Sequence, residues 1–241
     1  MTKRFGFTLA EVLITLGIIG VVAAMTIPTL VKNYQKTVWV NQLKKSVSTL
    51  ENGFKLMLAD EGVENLYDTN IFKAICNGHE EECKSGESFY LWEATDKTPF
   101  LNGLSKYFKF VETYTDINKT GFKNRYKYLS GNINDNYYFD DEFGVAGYLQ
   151  DGTLIIINGA LNSIFNNNQS QDIIVDVNGK KGPNQFGRDV FVLKLNNLGN
   201  ISPYKAATYN QYEHCNIEIE PETHGTSCAA RIIENGWKMD Y

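Results

Sequence analysis

Hydrophobic residues are concentrated near the start of the chain, where residues 12–31 contain no charged side chain. A helix of about 20 residues rises roughly 30 Å, which matches the thickness of the hydrocarbon core of a bilayer. Lys3 and Arg4 precede this run, and Lys32 and Lys36 follow it. The pattern predicts a membrane-spanning helix with basic residues at both ends.

Beyond this run, hydrophobic residues recur every three to five positions. They are Val31, Tyr34, Val38, Leu43, Val47, Leu50, Phe54 and Met57. This spacing places them on one stripe of an amphipathic helix. We therefore predict that the first helix continues to about Asp60-Glu61-Gly62 and packs its stripe on a globular domain. Pro28 would allow a gentle bend where the helix leaves the lipid.

Short apolar runs separated by turns characterise the second half of the chain and are typical of antiparallel strands. Residues 147–149 and 153–157 flank Asp151-Gly152, a pair typical of a tight hairpin turn. Residues 173–177 and 191–195 are two further strand candidates. We predict an α+β fold, in which three or four antiparallel strands lay one apolar face on the stripe of the long helix.

Other segments give weaker signals. Thr98-Pro99 is a suitable N-cap and first position for a short helix, and residues 226–233 are suitable for another. Residues 63–98 show little periodicity and are interpreted as an irregular linking region. Residues 111–136 are compatible with strand or loop, and Tyr137–Phe139 with the start of a strand.

Composition narrows the classes of function. The chain has 241 residues, a net charge of −5 and no long basic run, which argues against general nucleic-acid binding. It contains no P-loop, dinucleotide-binding fingerprint or H-E-x-x-H motif. The stretch from His224 to Ala229 only superficially resembles the segments around the catalytic His and Ser of subtilases, because a triad needs three separated elements. We expect no enzymatic activity.

The four cysteines fall into two local pairs, Cys76 with Cys83 and Cys215 with Cys228. If the basic N-terminal residues stay on the cytoplasmic side, most of the chain lies on the opposite side of the membrane, where disulfides can form. Three pairings are possible, and the two local pairs are favoured because each closes a short loop. The alternative is a zinc site that uses His214 or His224, which no C-x-x-C spacing supports.

Glu11 is an acidic residue at the start of the apolar segment. A carboxylate inside a membrane costs about 2.5–3.5 kcal/mol on insertion scales and indicates a function. A cation from a neighbouring chain would offset this cost. The sequence K-R-F-G at residues 3–6, followed by F-T-L-A-E-V-L-I-T at 7–15, resembles the type III signal of type IV pilins and of the pseudopilins of type II secretion.

This resemblance implies that a prepilin peptidase cuts after Gly6 and methylates the new N-terminus at Phe7. It also implies that Glu11 pairs with the N-terminal amine of a neighbouring subunit during assembly, and Pro28 fits the same family. The resemblance covers about the first 35–55 residues, and the rest of the chain matches only in layout. A secretory signal peptide cut after Ala24 and a plain single-pass anchor are the alternatives, and neither explains Glu11.

The resemblance implies a structural subunit, pilin-like or pseudopilin, of a type IV pilus or type II secretion filament, and the length of the chain leans towards a minor component. The expected parts are a leader (1–6), a transmembrane half-helix (7–31), an amphipathic half-helix (32–60) and an extracytoplasmic globular head (61–241). The protein would cross the cytoplasmic (inner) membrane once and assemble into a periplasmic or surface filament.

The expected partners are other pilin or pseudopilin subunits, the prepilin peptidase, the inner-membrane assembly machinery and membrane lipid, with no nucleic acid. The alternative function is a membrane-anchored extracytoplasmic binding protein that does not polymerise.

Asp176, Asn178 and Asp189 surround a loop that offers several oxygen ligands. Calcium takes six to eight such ligands, and some pseudopilins hold calcium in a comparable late loop. The resemblance therefore implies a candidate calcium site. The loop is not an EF-hand, because its glycine is in the wrong place. The alternative is a turn stiffened by Asn, Gly and Pro.

Overall fold

The chain forms two compact units, Met1–Val38 and Trp39–Tyr241. A computed structural model describes residues 6, 8–76, 96–117, 125–132, 144–158, 171–204, 215 and 224–241. Phe7, Cys83, His214 and the strand predicted at Tyr137–Phe139 lie outside the described residues.

Helix α1 comprises Leu9–Glu61 and continues through Pro28. Its N-terminal part is long and apolar enough to cross a membrane, and its side chains there are exposed. The helix ends at the predicted position. Gly62 follows with a φ of +65°, and Val63 N donates to Leu58 O at 3.1 Å. A glycine in this left-handed conformation is a common helix terminator, because it has no Cβ to clash with the backbone.

In the second unit, α1 buries one face. Its buried residues are Trp39, Val40, Leu43, Ser46, Leu50, Gly53, Phe54 and Met57. They include the predicted positions Leu43, Leu50, Phe54 and Met57, all of which are fully buried. The predicted stripe is thus confirmed at these four positions. It begins at Trp39, and the earlier predicted positions Val31 and Tyr34 are exposed.

The described strands form a six-stranded antiparallel sheet in which strand order follows sequence order. They are β1 (Glu112–Tyr114), β2 (Gly144–Tyr148), β3 (Leu154–Asn158), β4 (Gln171–Asp176), β5 (Val190–Leu195) and β6 (Ile201–Pro203). The predicted hairpin is β2–β3, with Tyr148 opposite Leu154 and Gly152 at a φ of +88°. The α+β arrangement of a long helix followed by an antiparallel sheet is pilin-like, as predicted. The predicted strand number of three or four was too low.

Both faces of the sheet are buried, where only one was predicted to be. Ile155, Ile157, Ile173 and Val175 pack in one cluster with α1. The opposite face, which includes Ile156, Ile174 and Val192, is covered by Tyr126 and Phe186. The continuous run Leu154–Ile157 agrees with this, since strands buried on both faces read as unbroken apolar runs.

Three short helices complete the described fold: α2 (Asn70–Lys73), α3 (Thr98–Phe108) and α4 (Cys228–Glu234). The irregular segment predicted at 63–98 was partly wrong, because α2 lies within it between two 3₁₀ turns. The predicted α3 is confirmed, but its N-cap is Lys97 instead of Thr98. The helix predicted near the end of the chain is confirmed as α4, which begins after Ser227 as its N-cap and extends to Glu234.

Candidate functional site

Thr8 and Glu11 form a reciprocal hydrogen-bonded pair at the start of α1. The backbone N and Oγ1 of Thr8 donate to Oε2 of Glu11 at 2.7 and 2.8 Å. In return, the backbone N of Glu11 donates to Oγ1 of Thr8 at 3.2 Å. This arrangement is a capping box, which satisfies backbone N–H groups that the first turn of a helix leaves without partners.

Thr8 is the functional residue that the sequence reasoning missed. Its signal was present, because T-L-A-E at residues 8–11 has the S/T-x-x-E spacing of a capping box. Both donors of Thr8 reach Oε2 of Glu11, and within the described part of the chain no hydrogen bond reaches Oε1. Glu11 can therefore cap its own helix and still offer an oxygen to a donor from outside.

Two other hydroxyl side chains of the apolar segment, those of Thr15 and Thr26, are satisfied locally. Thr15 Oγ1 lies 3.0 Å from the carbonyl oxygen of Glu11, and Thr26 Oγ1 lies 2.9 Å from that of Val22. A hydroxyl that donates to a carbonyl of the preceding turn needs no water, which suits a helix in lipid. Of the side chains in this segment, Glu11 alone carries a charge that needs an external partner.

A second candidate site is the loop between β4 and β5. A buried aspartate at each end of this loop accepts hydrogen bonds from the loop backbone. Asp176 Oδ1 accepts hydrogen bonds from the backbone N of Asn178 (3.2 Å) and of Gly179 (2.7 Å). Its Oδ2 accepts from the hydroxyl of Tyr126 at 2.7 Å.

Asp189 likewise accepts backbone hydrogen bonds at the far end of the loop. Its Oδ2 accepts from Asn184 N at 2.8 Å, and its Oδ1 accepts from Gln185 N at 2.7 Å. All four oxygens of the two aspartates are therefore engaged by donors of the chain itself. Within the described residues, no group of three or more His, Cys, Asp or Glu side chains could hold a metal ion.

Burial shifts the titration of both aspartates. Burial and the nearby charge of Asp189 together raise the pKa of Asp176 to about 7, against the lowering effect of its hydrogen bonds. Burial also raises the pKa of Asp189. Among the described residues, neither carboxylate forms an ion pair with a cationic side chain.

The loop contains one buried side-chain oxygen that no described residue engages. Asn178 Oδ1 accepts no hydrogen bond among the described residues. Asn184 is nine-tenths buried, and its side-chain amide, oriented to satisfy both of its polar atoms, donates to the carbonyl oxygens of Lys181 and Gly179 at 3.0 and 3.1 Å. Calcium binding through Asp176, Asn178 and Asp189 stays a prediction.

The one cysteine pair within the described residues is oxidised to a disulfide. Cys215 and Cys228 form a disulfide across a sequence separation of 13 residues. Their sulfurs are therefore not available as thiolate ligands, which removes them from the zinc alternative. Cys76 ends the 3₁₀ turn after α2, and its predicted partner Cys83 lies outside the described residues.

Residues 1–27 match the family model described as the prokaryotic N-terminal methylation motif. The chain begins with the prepilin signal of type IV pilins and pseudopilins. No curated protein and no solved structure matches the chain. The prepilin signal implies processing by a prepilin peptidase and association with other pilin subunits. Together with the exposed apolar part of α1, it is consistent with a single-pass membrane anchor.

The structure places the predicted residues of this signal in distinct settings. Gly6 is exposed, and Phe7 lies outside the described residues. Glu11 lies in the first turn of α1, and Pro28 lies within the same helix. Thr8 and Glu11 are therefore hydrogen-bonded to each other at the start of α1, while Pro28 lies further along the helix, beyond the matched residues 1–27.

Proposed function

We propose that this protein is a structural subunit of a membrane-anchored filament, either a type IV pilus or a type II secretion pseudopilus. The observation that supports this most is the prepilin signal at residues 1–27. In this proposal, residues 1–6 are removed, Phe7 becomes the methylated N-terminus, residues 7–31 lie in the membrane and residues 61–241 form the external head. The disulfide Cys215–Cys228 supports a head outside the cytoplasm, where disulfides persist.

Glu11 has the central role in assembly. Within one chain its Oε2 caps α1 through Thr8, while Oε1 takes no hydrogen bond from the described residues. The N-terminal amine of a neighbouring subunit can approach that oxygen and neutralise the carboxylate. A charge in lipid costs several kcal/mol, so pairing of the two charges favours a single register between neighbouring subunits.

The substitution Glu11→Gln tests this role, because it removes the charge and keeps an oxygen for the cap. We expect processing and membrane insertion to continue while filament yield falls at least about tenfold, since a loss of about 1.4 kcal/mol per contact changes an equilibrium tenfold. Sheared filaments are quantified by immunoblotting in cells that contain the assembly machinery. The matched control is Glu64→Gln, at an exposed position of the head.

Two outcomes would count against this proposal. Normal filament yield from Glu11→Gln contradicts the pairing mechanism. A wild-type chain that is processed but never sediments as filaments instead favours a membrane-anchored binding protein that does not polymerise.

A further inference from the structure

Residues 235–241, which follow α4 and are called the strap below, pack one side on the hydrophobic clusters. Apolar and polar residues alternate here, and their burial alternates with them. Trp237, Met239 and Tyr241 are half-buried against these clusters, whereas Lys238 and Asp240 are exposed. Successive side chains of an extended chain point to opposite sides, so this alternation indicates an extended segment that packs on one side only.

Tyr241 of the strap packs against the disulfide. It contacts the cluster of Leu129, Cys215 and Cys228, in which both cysteines are fully buried. Its hydroxyl donates to the carbonyl oxygen of Gly187 at 2.6 Å. Gly187 itself lies beside the sulfurs, because a Cβ at this position would be 2.6 Å from Sγ of Cys228. The strap is therefore bound to the chain next to the S–S bond.

Arg231 of α4 joins the strap to the disulfide. Its Nε donates to Oδ1 of Asp240 at 2.8 Å, and its guanidinium carbon lies 5.1 Å from the centroid of the Tyr241 ring. The same guanidinium donates through Nη1 to the carbonyl oxygen of Cys215 at 2.8 Å. One planar cation thus contacts the strap and the backbone of a cysteine at the same time.

Contacts of these kinds permit local opening of the strap. A single hydrogen bond changes an opening equilibrium only about 2- to 12-fold, and a partly exposed ion pair changes it less. A segment held in this way opens while the core of the protein stays folded. Opening of the strap removes Tyr241 from the disulfide and gives solutes access to the sulfurs.

We propose that the strap is a gate on the Cys215–Cys228 disulfide, which reacts with external dithiols when the strap is open and resists them when it is closed. A thiolate of the dithiol attacks one sulfur, the S–S bond breaks and the other cysteine leaves as a thiolate. The second thiol of the dithiol then displaces the first cysteine. The disulfide gains two electrons and the two thiol protons, and the dithiol is oxidised to a disulfide.

The gate concerns residues of the second unit and is independent of whether the chain forms filaments. Attack on a disulfide requires access of the thiolate to a sulfur as well as a reactive thiol. Since both cysteines are fully buried in the closed form, the rate of reduction reports how often the strap opens. This rate can be measured on the isolated chain without an assembly machinery.

Reduction of the folded full-length chain in detergent by dithiothreitol tests the gate. Samples are quenched with iodoacetamide at intervals, and the alkylated fraction of Cys228 is measured by peptide mass spectrometry. Tyr241→Phe removes the hydroxyl, and Tyr241→Ala removes the ring as well. Tyr204→Ala is the matched control, because Tyr204 is also half-buried and has a cation, Lys194 Nζ, 5.1 Å from its ring centroid.

We expect Tyr241→Phe to be reduced about 2- to 12-fold faster than the wild type, since it loses one hydrogen bond. Tyr241→Ala also loses the packed ring and should be reduced at least about 20-fold faster. Tyr204→Ala should be reduced at the wild-type rate. Low concentrations of urea should accelerate reduction of the wild type less than they favour global unfolding, because urea acts in proportion to the surface that an opening exposes.

Equal rates of reduction for the wild type and Tyr241→Ala overturn the inference. An equal acceleration by Tyr204→Ala also overturns it, as does a urea dependence as steep as that of global unfolding. Either of these two results shows that the disulfide reacts only in the unfolded chain.

Discussion

At the scale of single residues, Glu11 caps its own helix, and we propose an intermolecular role beside this local one. The capping box with Thr8 explains why an acid is tolerated at the first turn of an apolar helix, since the N-terminal end of a helix also favours negative charge. The cap uses only Oε2 of the Glu11 carboxylate, and Oε1 can pair with the N-terminal amine of a neighbouring subunit. A residue that served only as a cap would not need to carry a charge.

Replacing Thr8 by valine tests the cap without changing the size of the side chain. Because Thr8 Oγ1 accepts from Glu11 N, its loss should cost about 0.5–2 kcal/mol of local stability. We expect amide hydrogen exchange at Glu11 to accelerate by roughly 2- to 30-fold, measured by NMR on the mature chain in micelles. Thr8→Ser keeps the hydroxyl and should exchange like the wild type. Unchanged protection in Thr8→Val would show that the capping box is not formed.

At the scale of elements, the sequence correctly predicted those features that are determined by residues adjacent in the chain. The β2–β3 hairpin follows from Asp151-Gly152, and the end of α1 follows from Gly62. The three-residue strand β1 was ambiguous because it is an edge strand that exists through pairing with β2.

The packing of α1 on α3 depends on Gly53. A Cβ at this position would lie 2.3 Å from Cε1 of the Phe108 ring, which itself packs edge-on against Phe54 with ring centroids 4.9 Å apart. Gly53→Ala must therefore displace Phe108, at a cost of about 1–3 kcal/mol. We expect a lower free energy of unfolding in urea titrations of the mature chain in detergent.

Gly17→Ala is the matched control for this prediction. It places the same methyl group on the same helix, where nothing lies within 4 Å of the added Cβ in the isolated chain. Its free energy of unfolding should be equal to that of the wild type or up to about 1 kcal/mol higher, because alanine favours a helix more than glycine does. Equal stability of both variants would mean that α1 and α3 are not packed at Gly53.

At the scale of the whole molecule, the chain has two units with different kinds of surface. The first carries the prepilin signal and exposes apolar side chains along α1, such as Ile14, Ile18 and Val22. The second buries two hydrophobic clusters on either side of one sheet. A long uncharged run and short apolar segments separated by turns are both visible in the sequence, and they predict these two kinds of surface without fixing the boundary after Val38.

The central claim is that this chain is processed as a prepilin, and the mass of its mature N-terminus tests the claim most directly. Peptide mass spectrometry is performed on the membrane fraction of cells with and without the prepilin peptidase. We predict that the chain begins at N-methylated Phe7 when the peptidase is present, and retains residues 1–6 when it is absent. A mature chain that begins at Met25, or one that is identical in both strains, would contradict this account.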